Sequence, residues 1–266
     1  PTLVVSDIDI SLLYVFALPA ISTVGFIMAG WGSGSKYALL GGIRLVAQAV
    51  SYEIPLLFSV LGVAILAGSL SLTNIVNAQI ATVWYIVVQP AAFIIFLMAG
   101  LAEHSRTPFD MAIGESEVMG GPTIEYSGIR WAMFMLAEYV YIFVLASLGT
   151  VIFLGGWGGP FLPGWTWYIV KTAPILLFIF WLRGTLPRLR IDQLMGLCWK
   201  VLLPISLLNL IVAATFKLYG WGPTVPLVII SIFGSYLFYR RQWLQVVSVP
   251  EGTTVQAPMP STVLSE

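Results

Sequence analysis

Five of the twelve acidic residues of this chain, Glu103, Asp110, Glu115, Glu117 and Glu125, fall between positions 102 and 128. They sit in the run AEHSRTPFDMAIGESEVMGG, which continues into PTIEYSG. Elsewhere the chain is mostly hydrocarbon, 59% hydrophobic and 9% charged, with a mean hydropathy of +0.94. Solubilising charge could sit on any loop, so its concentration in one window points to chemistry there. Two further acids stand where a carboxylate is costly. Glu53 lies deep in an apolar run, QAVSYEIPLLF, and Glu138 sits in another, MFMLAEYVYIF. Near a bilayer centre an ionised acid costs roughly 2.5–3.5 kcal/mol, so each needs a partner or a water-filled cavity. With Glu103 closing the run between them, three successive apolar segments each carry an acid. Acids facing one interior, with proton affinities under environmental control, are what a proton relay requires.

Residues around these acids extend the pattern. Arg44, Gln48 and Tyr52 recur every four positions and predict a polar stripe running toward Glu53. The plainer alternative is an Arg44 that snorkels beside a neutral, locally held Glu53. Pro55 frees a backbone carbonyl close to that acid, open to water or another side chain. Pro19, Pro90, Pro174 and Pro204 predict bends in other segments. In the loop, Arg106 and Asp110 flank Pro108, which biases Thr107 away from helix. Glu115 and Glu117 share a face only in extended chain, and the alternative for the whole loop is a solvated connector. Arg183, Arg188 and Arg190 form a basic connector, WLRGTLPRLRIDQLM, in which Asp192 is placed to hold one guanidinium. Cys198 and His104 are assigned to packing and loop roles. One cysteine and one histidine supply neither an iron–sulfur ligand set nor paired haem ligands, so a redox centre belongs on another subunit.

The elements that must position these groups are membrane helices. Uninterrupted apolar runs near 9–31, 43–68, 86–103, 129–155, 166–186, 198–217 and 222–239 are each about long enough to cross some 30 Å of hydrocarbon. They lack the alternation of an outer-membrane barrel. The expectation is an all-α polytopic bundle of seven visible helices over 1–243, with an acidic loop at 104–128 and a C-terminal tail at 244–266. Ten of the twelve basic residues then fall on one side, with only Lys171 and Lys217 on the other. The excess places the acidic loop and the C-terminus in the cytoplasm or its organellar equivalent, and Pro1 outside. An eighth helix upstream of Pro1 would deliver it there. A formal net charge of +0 suggests no nucleic-acid partner.

Three segments together resemble the H subunit of respiratory complex I, the quinone-chamber membrane subunit of NADH–quinone oxidoreductases. They are KYALLGGIRLVAQAVSYEIP at 36–55, AEHSRTPFD…ESE…EYSG across 102–128, and WLRGTLPRLRIDQLM at 181–195. The family has eight helices. The resemblance implies a non-redox subunit that lines the cavity where quinone, the substrate, meets an iron–sulfur cluster held by peripheral subunits. It also implies small membrane subunits and antiporter-like subunits as neighbours, in a cell or organellar inner membrane. Residue by residue, Glu53, Glu103, Glu115, Glu117 and Glu125 match acids of the family's proton path, and Glu138 matches less distinctively. Arg106, Phe109 and Asp110 match the turn near the quinone cavity, as Arg183, Arg188, Arg190 and Asp192 match the basic connector beside it. Arg44 is grouped with that cavity.

The chain departs from the common family loop PFDLPEAESE, carrying Ala112 and Ile113 where proline and glutamate stand, and Pro122 where an aromatic is frequent. Other readings are an anchor subunit of a related membrane-bound hydrogenase and an independent ion transporter. The RTPFD and EYSG strings favour the quinone branch, and the lack of an internal repeat counts against a transporter.

Overall fold

A computed structural model describes residues 7–110, 120–161, 163–187 and 189–220. The expected span at 222–239, the tail at 244–266, Glu115, Glu117 and Arg188 lie outside the described residues. Those described are helical and include no strand. In chain order α1 is Ser11–Gly32, α2 Lys36–Ala67, α3 Leu72–Ala81, α4 Tyr85–Val88, α5 Pro90–Glu103 and α6 Ile129–Phe153. Then come α7 Gly164–Thr185, α8 Ile191–Leu197, a π-helical stretch Cys198–Leu202 and α9 Leu203–Tyr219. Five helices among the described residues are long and apolar enough to cross a membrane: α1, α2, α6, α7 and the continuous run Ile191–Tyr219. The chain is an all-α, multi-pass membrane protein.

Three expected spans differ in detail. The segment 86–103 is not one helix. Pro90 offers no N–H and opens α5 as its first residue, leaving the short α4 before it. With 14 residues α5 reaches only about 21 Å. The span expected at 43–68 begins earlier, at Lys36, so Arg44 stands two turns inside α2 and not at its entrance. The span expected at 198–217 begins at Ile191, which puts Asp192 in a first helical turn, where the helix dipole favours an acid. Pro204 follows the π-helical stretch in the first turn of α9, and among the described residues Pro19, Pro55 and Pro174 lie in helix interiors. The run at 72–81, which falls between two expected spans, forms α3. Gln79 ties it down by donating to the carbonyls of Val151 and Ile152 at 3.1 and 3.0 Å.

The centre of the bundle is α2, packed against α1, α5 and α9. At 32 residues it spans about 48 Å, more than the hydrocarbon needs. Gly68 closes it in the left-handed conformation, donating to the Ala64 carbonyl at 2.8 Å. Small residues allow close approach along it. A Cβ on Gly41 would stand 2.5 Å from the Gly121 Cα, so the end of the acidic loop lies directly on the helix backbone. Tyr52, Leu56, Val60 and Val63 of α2 join Ile95 and Phe96 of α5 in the buried core. Two lysines satisfy carbonyls at helix ends and in the loop just beyond one of them. Lys171 donates to Leu154, Gly156 and Gly158, and Lys217 to Leu66.

Candidate functional site

The second turn of the polar stripe is fixed by backbone. Gln48, 1% exposed, donates through Nε2 to the Ala102 carbonyl at 2.6 Å and to the Phe109 carbonyl at 2.9 Å. Four residues on, the Tyr52 hydroxyl donates to the Leu194 carbonyl at 2.8 Å, and its ring lies 6.1 Å from that of Phe109. One face of α2 therefore holds the end of α5, the RTPFD turn and the start of α8 together. The carbonyl freed by Pro55 is that of Ser51, and the Cys198 thiol donates to it at 3.0 Å. Cys198 is a packing residue with a specific polar task. The Ala102 carbonyl keeps the Ser105 N–H at 3.1 Å, so Gln48→Leu strands the Phe109 carbonyl and is expected to destabilise the assembled protein by about 1–3 kcal/mol. Thermal unfolding in detergent checks this, and an unchanged midpoint would remove Gln48 from the scaffold.

The turn so held is short and tightly wound. Arg106 N–H reaches back to the Leu101 carbonyl at 3.0 Å, and Phe109 N–H to the Arg106 carbonyl at 2.7 Å. Ser105 takes a positive φ of 49° to make the bend. Leu189 of the basic connector donates to the Pro108 carbonyl at 3.1 Å, which brings connector and turn into contact. Among the described residues Asp192 makes no ion pair with Arg183 or Arg190, and Arg188, the third guanidinium of the connector, lies outside them. The Arg190 backbone N–H donates to Gln193 Oε1 at 3.3 Å.

This winding turns Arg106 inward. Its Nη1 lies 2.7 Å from Glu138 Oε1, with side-chain exposures of 10% and 17%, and its guanidinium stacks 4.7 Å from the Tyr139 ring centroid. Arg183 of α7 acts electrostatically on the same carboxylate. Thus a residue assigned to the quinone cavity is paired directly with one assigned to the relay. No sequence signal joined them, because they stand 32 positions apart across a loop. Glu103 is 8% exposed at the end of α5, and the charge of Glu53 on α2 acts on it in addition to its burial.

Glu103, His104 and Glu138 line one cavity of about 60 Å³, walled by Leu45, Phe134 and Tyr141 among others. A volume of at least about 10–15 Å³ admits one water, so this space admits more than one. The His104 ring stacks on Tyr141 at 4.7 Å, making the imidazole part of the wall rather than of an exposed loop. Pro122, the residue that replaces a family aromatic, is buried against the same cavity. Glu125 stands apart: it is exposed and lines a separate recess with Tyr126 and Arg130. Arg44 is half-buried on α2, whereas Arg183 and Arg190 are exposed. Among the described residues no group of three or more His, Cys, Asp or Glu is arranged to hold a metal ion.

The family model of NADH dehydrogenase matches residues 1–214. The H subunit of the NADH-quinone oxidoreductase of Geobacillus kaustophilus (strain HTA426) is 52% identical over 216 residues, 80% of this chain and 65% of that protein. Its counterpart from Bacillus thuringiensis subsp. konkukian (strain 97-27) is likewise 52% identical, and that from Geobacillus thermodenitrificans (strain NG80-2) is 51% identical, over the same 216 residues. The chain thus spans 65% of the length of these curated relatives.

Proposed function

Because the chain belongs to the NADH dehydrogenase family, we propose that it serves as the quinone-chamber membrane subunit of a proton-pumping quinone oxidoreductase of the NADH type. Relatives that bear the name of the H subunit of NADH-quinone oxidoreductase support the reading. The observation that carries it further is the buried Arg106–Glu138 pair beside a cavity shared by Glu103 and Glu138. Carboxylates so placed are costly unless their charge is used.

Reduction of a quinone to a quinol takes two electrons and two protons. The electrons arrive from an iron–sulfur cluster on peripheral subunits, and this chain manages the charge. Arg44, Arg106, Phe109, Asp110, Arg183, Arg188, Arg190 and Asp192 border the quinone. Glu53, Glu103, Glu115, Glu117, Glu125 and Glu138 hold and pass protons toward antiporter-like subunits. Arg106 couples the two sets, since a guanidinium paired with Glu138 loosens its hold when negative charge develops on the quinone side. Glu138 is then freer to accept a proton.

Purification of the tagged chain from its native membrane in mild detergent tests the assignment. Iron–sulfur and antiporter-like subunits are expected to accompany it, with quinone reductase activity. Co-purification with a hydrogenase would overturn the quinone reading, and quinone reduction by the isolated chain would overturn the non-redox role. Orientation has its own check. A cysteine introduced at exposed Ser127 is expected to react with a membrane-impermeant maleimide from the cytoplasmic side, and one at exposed Phe161 from the other. Native Cys198 is fully buried and gives little background. The opposite pattern would reverse the orientation.

A further inference from the structure

Two buried amides elsewhere in the bundle approach the same glycine, each with a polar atom that makes no bond. Gln89 is 5% exposed and Asn209 is 9% exposed, and neither Gln89 Oε1 nor Asn209 Nδ2 finds a hydrogen-bond partner among the described residues. They come from different elements, the break between α4 and α5 and the middle of α9. Both approach Gly62 of α2: the point where a Cβ would stand lies 3.3 Å from Gln89 Oε1 and 3.4 Å from Asn209 Nδ2. A side chain on Gly62 would stand against both atoms, and glycine leaves that place unfilled. Gly62 is nine residues beyond Glu53, about 14 Å along the helix, so this is not the acid cluster.

We propose that Gln89, Asn209 and Gly62 form a binding site for one ordered water that bridges α2, α5 and α9 inside the hydrocarbon. The chemistry of the two atoms selects the ligand. Gln89 Oε1 accepts and Asn209 Nδ2 donates, so the ligand must give one hydrogen bond and take another in the same small space. A cation would satisfy only the oxygen and an anion only the N–H, whereas water satisfies both. The break in the helix that carries Gln89 also frees an acceptor three residues before it in the chain. Pro90 has no N–H for the Ile86 carbonyl, and groups freed at a break in a membrane helix are ordinarily recovered by water or a neighbouring side chain. The site rests on packing and is independent of the quinone assignment.

A cryo-electron-microscopy map of the intact complex, at a resolution that shows waters, is expected to contain a density peak about 3 Å from both amides. A direct Gln89–Asn209 bond, or a side chain from elsewhere filling the gap, would overturn the proposal. A thermodynamic cycle reads the same question. With a shared water, Gln89→Met and Asn209→Leu each strand the remaining amide and lower the disassembly temperature by about 2–4 °C. Made together they leave nothing stranded, so the double variant should lose less than the sum of the single losses. Additive losses would show that the two amides have separate partners and would sink the idea. Gly62→Ala, which fills the space, is expected to remove the density peak; its persistence would place the water elsewhere.

Discussion

Arg106→Met is expected to be the most damaging single change in the chain, with loss of most assembled complex and at least a tenfold fall in quinone reductase turnover in what remains. The pair it breaks is enclosed, with Arg106 Nη1 2.7 Å from Glu138 Oε1 and side-chain exposures of 10% and 17%. Removing one member of such a pair strands the other charge, at a cost of about 3–5 kcal/mol. The guanidinium also covers the Tyr139 ring, so packing is lost as well. Adding Glu138→Gln removes the stranded charge and is expected to restore much of the assembly. Restoring activity is a separate matter. If Glu138 passes protons, the double variant assembles but stays slow, because glutamine does not titrate. Quinone reductase rate per assembled complex, measured alongside yield, distinguishes the two. Wild-type turnover in the assembled double variant would make the pair a structural clasp and remove Glu138 from the relay.

How far this site was legible in the sequence depends on the kind of signal. Apolar runs marked out most of the helices, since the bilayer permits few alternatives to a self-satisfied backbone. The run at 86–103 misled because hydropathy does not register a missing N–H, and Pro90 starts a helix there instead of bending one. Helix α3 was hidden for the opposite reason: its ten residues are too few to span, and Gln79 holds it by reaching across to α6. The stripe Arg44–Gln48–Tyr52 was correctly placed on α2, but its middle and end were read as approaches to Glu53. They are struts to the carbonyls of Ala102, Phe109 and Leu194, contacts 54 to 142 positions away that helical spacing cannot reveal. The same limit applies to Arg106 and Glu138, whose types were suggestive and whose pairing was invisible. Pro55 was more informative, since a proline identifies the carbonyl it frees, and Ser51 does recruit a donor in Cys198. Ile113, where the family loop has a further acid, lies outside the described residues together with Glu115 and Glu117.

Glu53→Gln should leave the complex assembled and lower both quinone reduction and proton pumping about tenfold or more, equivalent to about 1.4 kcal/mol or more of lost barrier reduction. Glutamine keeps the size and the hydrogen-bonding capacity of Glu53, so packing on α2 is preserved and only titration is lost. The physical reason for expecting a large effect is the neighbour. Glu103 is buried and, after that burial, feels the charge of Glu53, and two carboxyls that interact strongly enough take up protons as a pair rather than singly; the prediction is that these two do. A pair of this kind can release a proton when its surroundings change and regain one when they relax, and neutralising either member abolishes that behaviour. Glu103→Gln is therefore expected to resemble Glu53→Gln, even though Glu103 borders the cavity with Glu138 and Glu53 approaches from α2. Combining the two should be scarcely worse than either alone, because residues acting as one unit are not additive. Multiplying losses would indicate two independent sites. Full turnover and full pumping in the assembled Glu53→Gln complex would reduce this acid to the plainer reading, a neutral carboxyl held in place by its neighbours.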